Sequence, residues 1–308
     1  MSDVILHHYP QSPVSEKVRV ALGIKGLAWR SVQIPRLPPK PDLMPLTGGY
    51  RQTPVMQIGA EVFCDSQCIL RALERRFPEP TLFPDNSAGL AWGVSRWTDG
   101  ALFKACVAVI FADAGDSLPA DFAADRGRLY FGPDYDMARL QAAFPDTLAA
   151  LRAQFGWMEE RLATGRGFME GARPGLSDAL CYYLVWFLRG RYSRGPAFLS
   201  QFPRLCAWEA RVRDIGHGRP SELGAEEALE IAGAARPETP PAVDPDDPLG
   251  LAAGQEVRVA PEGPGDPPAV AGRLRALDPA TVVLDRDDPR VGAVAVHFPR
   301  VGYRILRT

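Results

Sequence analysis

Clustered prolines divide this chain more firmly than any other feature. A proline has no backbone N–H to give to a helix interior or a central strand, so runs of them mark seams. Thirty prolines and 29 glycines are spread unevenly over 308 residues. Phe77-Pro78-Glu79-Pro80, followed by Phe83-Pro84, closes a first stretch. A second cluster runs from Arg236-Pro237-Glu238-Thr239-Pro240-Pro241 through Asp244-Pro245-Asp246-Asp247-Pro248. It is acidic, poor in large apolar residues, and reads as a semi-rigid linker. The expected division is therefore 1–84, 85–235, a linker over 236–252, and 253–308. Roughly 100–200 residues per domain agrees with two or three domains.

Each stretch has its own hydrophobic period. In the first, Val4-Ile5-Leu6 is a short apolar run. Val14, Val18, Ala21 and Leu22 then share the spacing of one helix face. Trp29 to Ile34 reads as a strand. Pro54 to Ile58 and Glu61 to Phe63 flank Gly59-Ala60 as a hairpin, and Ile69, Leu70, Leu73 and Phe77 return to helical spacing. A helix between two strands implies a parallel pair, and the hairpin adds antiparallel edge strands. In the second stretch, Ala88–Ala114, Thr147–Leu162, Leu176–Leu188, Phe202–Val212 and Pro220–Ala232 read as helices, with 115–146 left irregular. In the third, runs at 257–259, 273–277, 282–284, 294–298 and 303–306 read as five short strands of a small barrel.

Composition removes several function classes. Thirty-five basic against 37 acidic residues give a formal charge of −2, without the basic excess of a nucleic-acid binder. No apolar run reaches the ~18 residues of a membrane-spanning helix. Met1-Ser2-Asp3-Val4 has neither the basic region nor the apolar core of a secretion signal. Five irregularly spaced cysteines suit neither a disulfide framework nor a metal site. A cytoplasmic protein without metal, membrane or nucleic-acid partner is expected.

Three local features belong together. Tyr9-Pro10-Gln11-Ser12-Pro13-Val14-Ser15 joins the first strand to the first helix. Pro13 suits a first helical turn, and Ser12 then sits at a helix N-terminus, where free N–H groups and the dipole favour an anion. Gln52-Thr53-Pro54 opens a strand and leaves the Thr53 main chain for a bound peptide. Asp65-Ser66 enters a helix, where Ser66 and first-turn donors suit a carboxylate and Asp65 suits either a cap or an ammonium.

At these residues the chain resembles the cytosolic glutathione S-transferase family, of the kind with a serine in the N-terminal loop. The resemblance covers about residues 3–235. Tyr9 through Arg19 resembles the catalytic loop and first helix, Gln52-Thr53-Pro54-Val55 the cis-proline segment, and Asp65-Ser66 the acidic-serine pair that grips the γ-glutamyl end of glutathione. Pro174-Gly175-Leu176-Ser177-Asp178 is similar to the family's capping box, but Gly175 stands where Ser or Thr is usual. The resemblance implies an α+β multidomain chain: a thioredoxin-like α/β domain, then an all-α helical bundle. The strand pattern adds a small C-terminal all-β, barrel-like domain.

The resemblance further implies a transferase with glutathione as co-substrate. Its thiol would be activated to attack a small, apolar electrophile in detoxification, by a homodimer. Glutathione-dependent isomerase, lyase or β-etherase chemistry would use the same thiolate. A glutathione-binding scaffold of the same fold would use none. Ser12 takes the thiol-donor role, with Ser15 and Tyr9 as alternatives. Gln52, Thr53, Pro54, Asp65 and Ser66 would bind glutathione. Ser12 and Ser15 stand where thioredoxin-like redox proteins carry two cysteines, and without a thiol disulfide exchange lacks its nucleophile. Trp97, Phe103, Val107 and Phe111 are candidates to line a substrate pocket or to fill a core.

Overall fold

The computed structural model describes residues 3–263 and 268–307, so Met1-Ser2 of the N-terminal reading lies outside the described residues. The chain forms two compact units. The first comprises Met1–Ser15, Ala28–Arg76 and Arg219–Thr308; the second comprises Glu16–Leu27 and Phe77–Gly218.

The first unit is built on one sheet. Its strands are β1 (Ile5–His8), β2 (Ala28–Gln33), β3 (Val55–Ile58), β4 (Glu61–Cys64), β5 (Arg219–Glu222), β6 (Ala242–Val243), β7 (Glu256–Pro261), β8 (Val270–Leu277), β9 (Thr281–Asp288), β10 (Gly292–Pro299) and β11 (Tyr303–Arg307). They run in the order β11-β7-β8-β9-β10-β4-β3-β1-β2-β5, with β6 beside β8. β1 and β2 are parallel, and β3 and β4 form the antiparallel hairpin, which is the thioredoxin-like arrangement. The C-terminal all-β region is present, with all five runs as strands.

Two expectations about this region change. The hairpin does not end at an edge: β10 lies parallel to β4, pairing Ala295, Val296 and His297 with Glu61, Val62 and Phe63. Every residue of β4 is buried, Glu61 included. The barrel-like strands therefore share a core with the N-terminal strands, in which Ile5, Val62, Leu284, Val296 and Phe298 are all fully buried. Burying one such side chain contributes ~1.5–3 kcal/mol, so this joint is a hydrophobic core rather than a tether.

The expected linker 236–252 is likewise tied down. Ala242 and Val243 pair with Ala276 and Leu277, Leu251 enters the core, and Glu238 and Thr239 bond Glu61. Proline-rich chain needs few ladder partners, so its composition looks like a linker although Asp244, Asp246, Asp247, Leu249 and Gly250 give their N–H groups to nearby acceptors. The chain passes between its two compact units at 15/16, 27/28, 76/77 and 218/219.

Helices α1 (Pro13–Ile24) and α3 (Ser66–Arg76) follow in the chain order expected, and a short α2 (Met44–Thr47) stands in the connection after β2 where no helix is expected. The helix expected over Pro220–Ala232 begins later, at Ala225, because Arg219–Glu222 pairs with β2 as an edge strand. Pro220 is tolerated there, since an outer edge asks for no donor.

The second unit is helical: α4 (Ala88–Trp97), α5 (Phe103–Ala114), α6 (Ala120–Phe131), α7 (Met137–Ala142), α8 (Phe144–Leu162), α9 (Leu176–Arg191), α10 (Gly195–Leu199) and α11 (Pro203–Ile215). A π-helical turn at Thr98–Leu102 separates α4 from α5. It carries Asp99, which pairs with the fully buried Lys17 and accepts from Tyr183 and Ser95 at 2.9 Å each. Helix α6 lies in the stretch expected to be irregular. Its buried residues are Arg126 and Gly127, against which Tyr135 packs, so it shows no apolar stripe.

The start of α9 explains the departure at Gly175. Asp178 Oδ2 accepts the Gly175 N–H at 2.8 Å, which is half a capping box. The other half needs a side-chain oxygen that glycine lacks. Glu170 supplies it, accepting the Ser177 N–H at 3.0 Å. A Cβ at Gly175 would stand 2.4 Å from Glu170 Oε2 and 2.7 Å from Pro84 Cδ. Gly175→Ser, which restores the usual residue, is therefore expected to destabilise the protein by ~1–3 kcal/mol in urea unfolding; a gain in stability would contradict this account. Asp178 itself is fully buried. Burial pushes its carboxyl up to about 6, although N–H donors from Met169, Trp208 and Gly175 hold it back.

Candidate functional site

The expected loop and first helix meet at a serine cap. The Ser12 N–H bonds Tyr9 O at 3.1 Å, turning the chain after β1. Pro13 opens α1, where a missing N–H costs nothing. Ser12 Oγ accepts the Ser15 N–H at 3.2 Å, satisfying one of the unpaired first-turn donors. That bond occupies the acceptor side of the hydroxyl, and among the described residues its proton is given to no protein acceptor. Ser12 is buried and stands at the positive end of a 12-residue helix. Ser15 Oγ is also buried, and no described group bonds it. The Tyr9 ring lies under the Lys40 ammonium, 5.9 Å from the ring centre.

Lys40 links this loop to the proline segment, because its Nζ donates to Thr53 Oγ1 at 2.8 Å. The Thr53–Pro54 peptide bond is cis. The β3 ladder starts at Val55, so Thr53 stands outside it. Lys40 is 3% exposed, and sequence reasoning passed over it as one more charged residue between prolines.

Asp65 ends the hairpin with φ of 73°, a backbone region that few non-glycine residues adopt. It caps α3: Oδ1 accepts the Gln67 N–H at 2.8 Å and its carbonyl accepts the Ile69 N–H at 3.1 Å. Ser66 is the first residue of that helix and is buried. The capping reading of Asp65 is thus realised, and its second oxygen remains for other partners. One of these is the Tyr303 hydroxyl on β11, donating at 3.1 Å. Gln52 stands near the same group: Tyr50 donates to Gln52 Oε1 at 3.4 Å, and the Tyr50 and Tyr303 hydroxyls are 3.4 Å apart.

Nothing local in the sequence marks Tyr50. Tyr303 closes the aromatic and basic run Val296–Tyr303, whose residues suit packing against the main body or a dimer contact.

Of the four candidate pocket residues, Phe103, Val107 and Phe111 are buried in the helical unit. Phe103 packs on Tyr130, Tyr183 and Phe187, and Phe111 packs on Phe122 and Phe131. Trp97 keeps partial exposure, donates to Gln154 Oε1 at 2.7 Å and sits beside Trp157. A cavity of about 500 Å³ in this unit is lined by Leu118, Arg128, Tyr135 and Met137 among others, and by none of the four. Cys64 and Cys68 are buried thiols whose pKa values burial pushes up.

A family description, the N-terminal domain of glutathione S-transferase, matches residues 6–81. No curated protein matches the chain. Among solved structures, a GST-like protein from Pseudomonas syringae is 35% identical over 100% of both chains, with a TM-score of 0.77. A glutathione S-transferase from Rhodospirillum rubrum is 18% identical over 68% of this chain and 87% of its own, at a TM-score of 0.53. Poplar glutathione transferase F1 is 12% identical over 75% and 98%, at 0.54. The last two show the fold alone. With the first at this identity along its whole length, the chain belongs to the glutathione S-transferase family.

Proposed function

We propose that this protein binds glutathione in its first unit and lowers the thiol pKa through a hydrogen bond from Ser12. The thiolate then attacks a small apolar electrophile. The observation that carries the reading is the Ser12 hydroxyl: its lone pair is used by the Ser15 N–H, and its proton is left to donate. A sulfur placed there meets a hydrogen-bond donor and the positive end of α1 together, and both favour thiolate over thiol. Carbon–sulfur bond formation follows, with the electron pair leaving on a departing group or passing to a carbon that takes up a proton. Lys40 fixes the Thr53 side chain beside the cis-proline, leaving the main chain there to meet the peptide. Asp65 and Ser66 take the γ-glutamyl end, and Gln52 assists. A cytoplasmic homodimer acting in detoxification fits this chemistry.

Titration with glutathione, followed by calorimetry and by thiolate absorbance in the ultraviolet, tests the reading. Saturable binding with a thiolate signal at neutral pH is expected. No binding would overturn the proposal. Binding without that signal would replace it with a glutathione-binding protein that does not activate the thiol.

A further inference from the structure

The geometry points to Tyr303, on the last strand of the C-terminal region, as a positioning residue for the γ-glutamyl ammonium of glutathione, acting through Asp65. This inference rests on the glutathione reading above.

Four observations converge on it. First, the Tyr303 hydroxyl donates to Asp65 Oδ2 at 3.1 Å, on the oxygen that the helix cap does not use. With Oδ1 on the Gln67 N–H and Oδ2 on Tyr303, the carboxylate is held at both ends in one rotamer. Asp65 is partly exposed, so a ligand reaching α3 can meet the carboxylate that Gln67 and Tyr303 orient.

Second, the turn before Tyr303 is anchored to the same helix start: Gln67 Nε2 donates to Val301 O at 3.3 Å. The turn at Val301 and the start of β11 therefore hold both the Asp65 side chain and the first turn of α3.

Third, Tyr303 is set rigidly. Its ring packs on Phe298 at 5.7 Å, and Phe298 is fully buried beside Tyr50. Burial and then the Asp65 charge push both phenols up, so both stay protonated donors across the neutral range.

Fourth, one proton per hydroxyl accounts for the pair. Tyr303 gives its proton to Asp65, and Tyr50 gives its proton to Gln52. Each tyrosine thus orients one residue of the proposed glutathione site. A buried phenol needs a hydrogen-bond partner, but nothing in packing requires that partner to be a ligand-facing carboxylate.

The test compares two thiols, glutathione and glutaryl-cysteinyl-glycine, which differs only in lacking the γ-glutamyl amine. In Tyr303→Phe the ring is kept and the hydroxyl removed. Glutathione binding is expected to weaken about tenfold, and that of the deamino thiol less than twofold. The kcat at saturating glutathione should stay within twofold while KM rises. In an Asp65→Asn background, where the preference for the amine is already lost, Tyr303→Phe should have no further effect on the ratio. Equal losses for both thiols would mark Tyr303 as merely structural and overturn the inference, as would unchanged binding of both. Failure of the unaltered protein to bind glutathione would instead overturn the reading on which this rests.

Discussion

Ser12→Ala is expected to raise the pKa of bound glutathione by about two units and to cut turnover near neutral pH about a hundredfold. Each unit corresponds to ~1.4 kcal/mol of preferential thiolate stabilisation, so two units need ~2.7. One charge-assisted hydrogen bond supplies ~1.5–3 kcal/mol and the helix terminus ~0.3–1, so the hydroxyl is the larger part. The same substitution deletes the α1 cap, because Ser12 Oγ also holds the Ser15 N–H. That loss costs ~1 kcal/mol of stability and must be separated from the chemical effect. Ser12→Asp separates them. Aspartate caps a helix as well as serine does, yet puts a negative charge beside the sulfur. It should restore the urea midpoint while leaving the thiolate signal absent. If Ser12→Ala keeps the signal and either Ser15→Ala or Tyr9→Phe removes it, the role passes to that residue.

Glu61→Gln is expected to cost about 3–5 kcal/mol, as removing one partner of a buried ion pair does. The Glu61 carboxylate is fully buried and pairs with His297 of β10. It also accepts the Glu238 N–H at 2.6 Å, the Thr239 N–H at 2.9 Å and the Thr239 hydroxyl at 2.7 Å. A glutamine puts an NH₂ among these donors and leaves one or two unmatched. Burial alone would push the Glu61 carboxyl up. The His297 hydrogen bond and charge, with Thr239, outweigh it and bring it from 4.5 down to about 2. The folded protein therefore binds fewer protons than the unfolded one between those values. The stability Glu61 contributes is complete above about pH 4.5 and is lost as the pH falls toward 2, on the order of 3 kcal/mol in all. Urea unfolding from pH 6 to 2 should show that acid slope in the natural protein and a flatter one in Glu61→Gln. Equal slopes would mean that Glu61 is not the group responsible.

These two residues also mark what was legible. Ser12 was readable because its signal is local: a serine, a proline, then helical spacing. The same holds for the hairpin into Asp65-Ser66 and for α9, whose apolar residues cover most faces. Glu61 was not readable, because its partners lie in the presumed linker and in β10. One clue was present: Val294-Ala295-Val296-His297-Phe298 does not alternate, which marks a strand covered on both faces rather than one with a solvent face. Helix α6 was missed because its buried face is Arg126 and Gly127, and β5 because Pro220 looked like a helix start. Tyr303 stayed hidden for the same reason as Glu61, since pairing between distant strands leaves no periodic trace.

The parallel joint between β4 and β10 has a consequence for synthesis. Glu61 and His297 stand 236 positions apart. At ~5–20 residues per second, a ribosome takes on the order of ten to fifty seconds to deliver the second after the first. Throughout that interval β4 offers its open N–H and C=O row to any passing strand. The nascent protein must shelter that edge until β10 emerges to claim it.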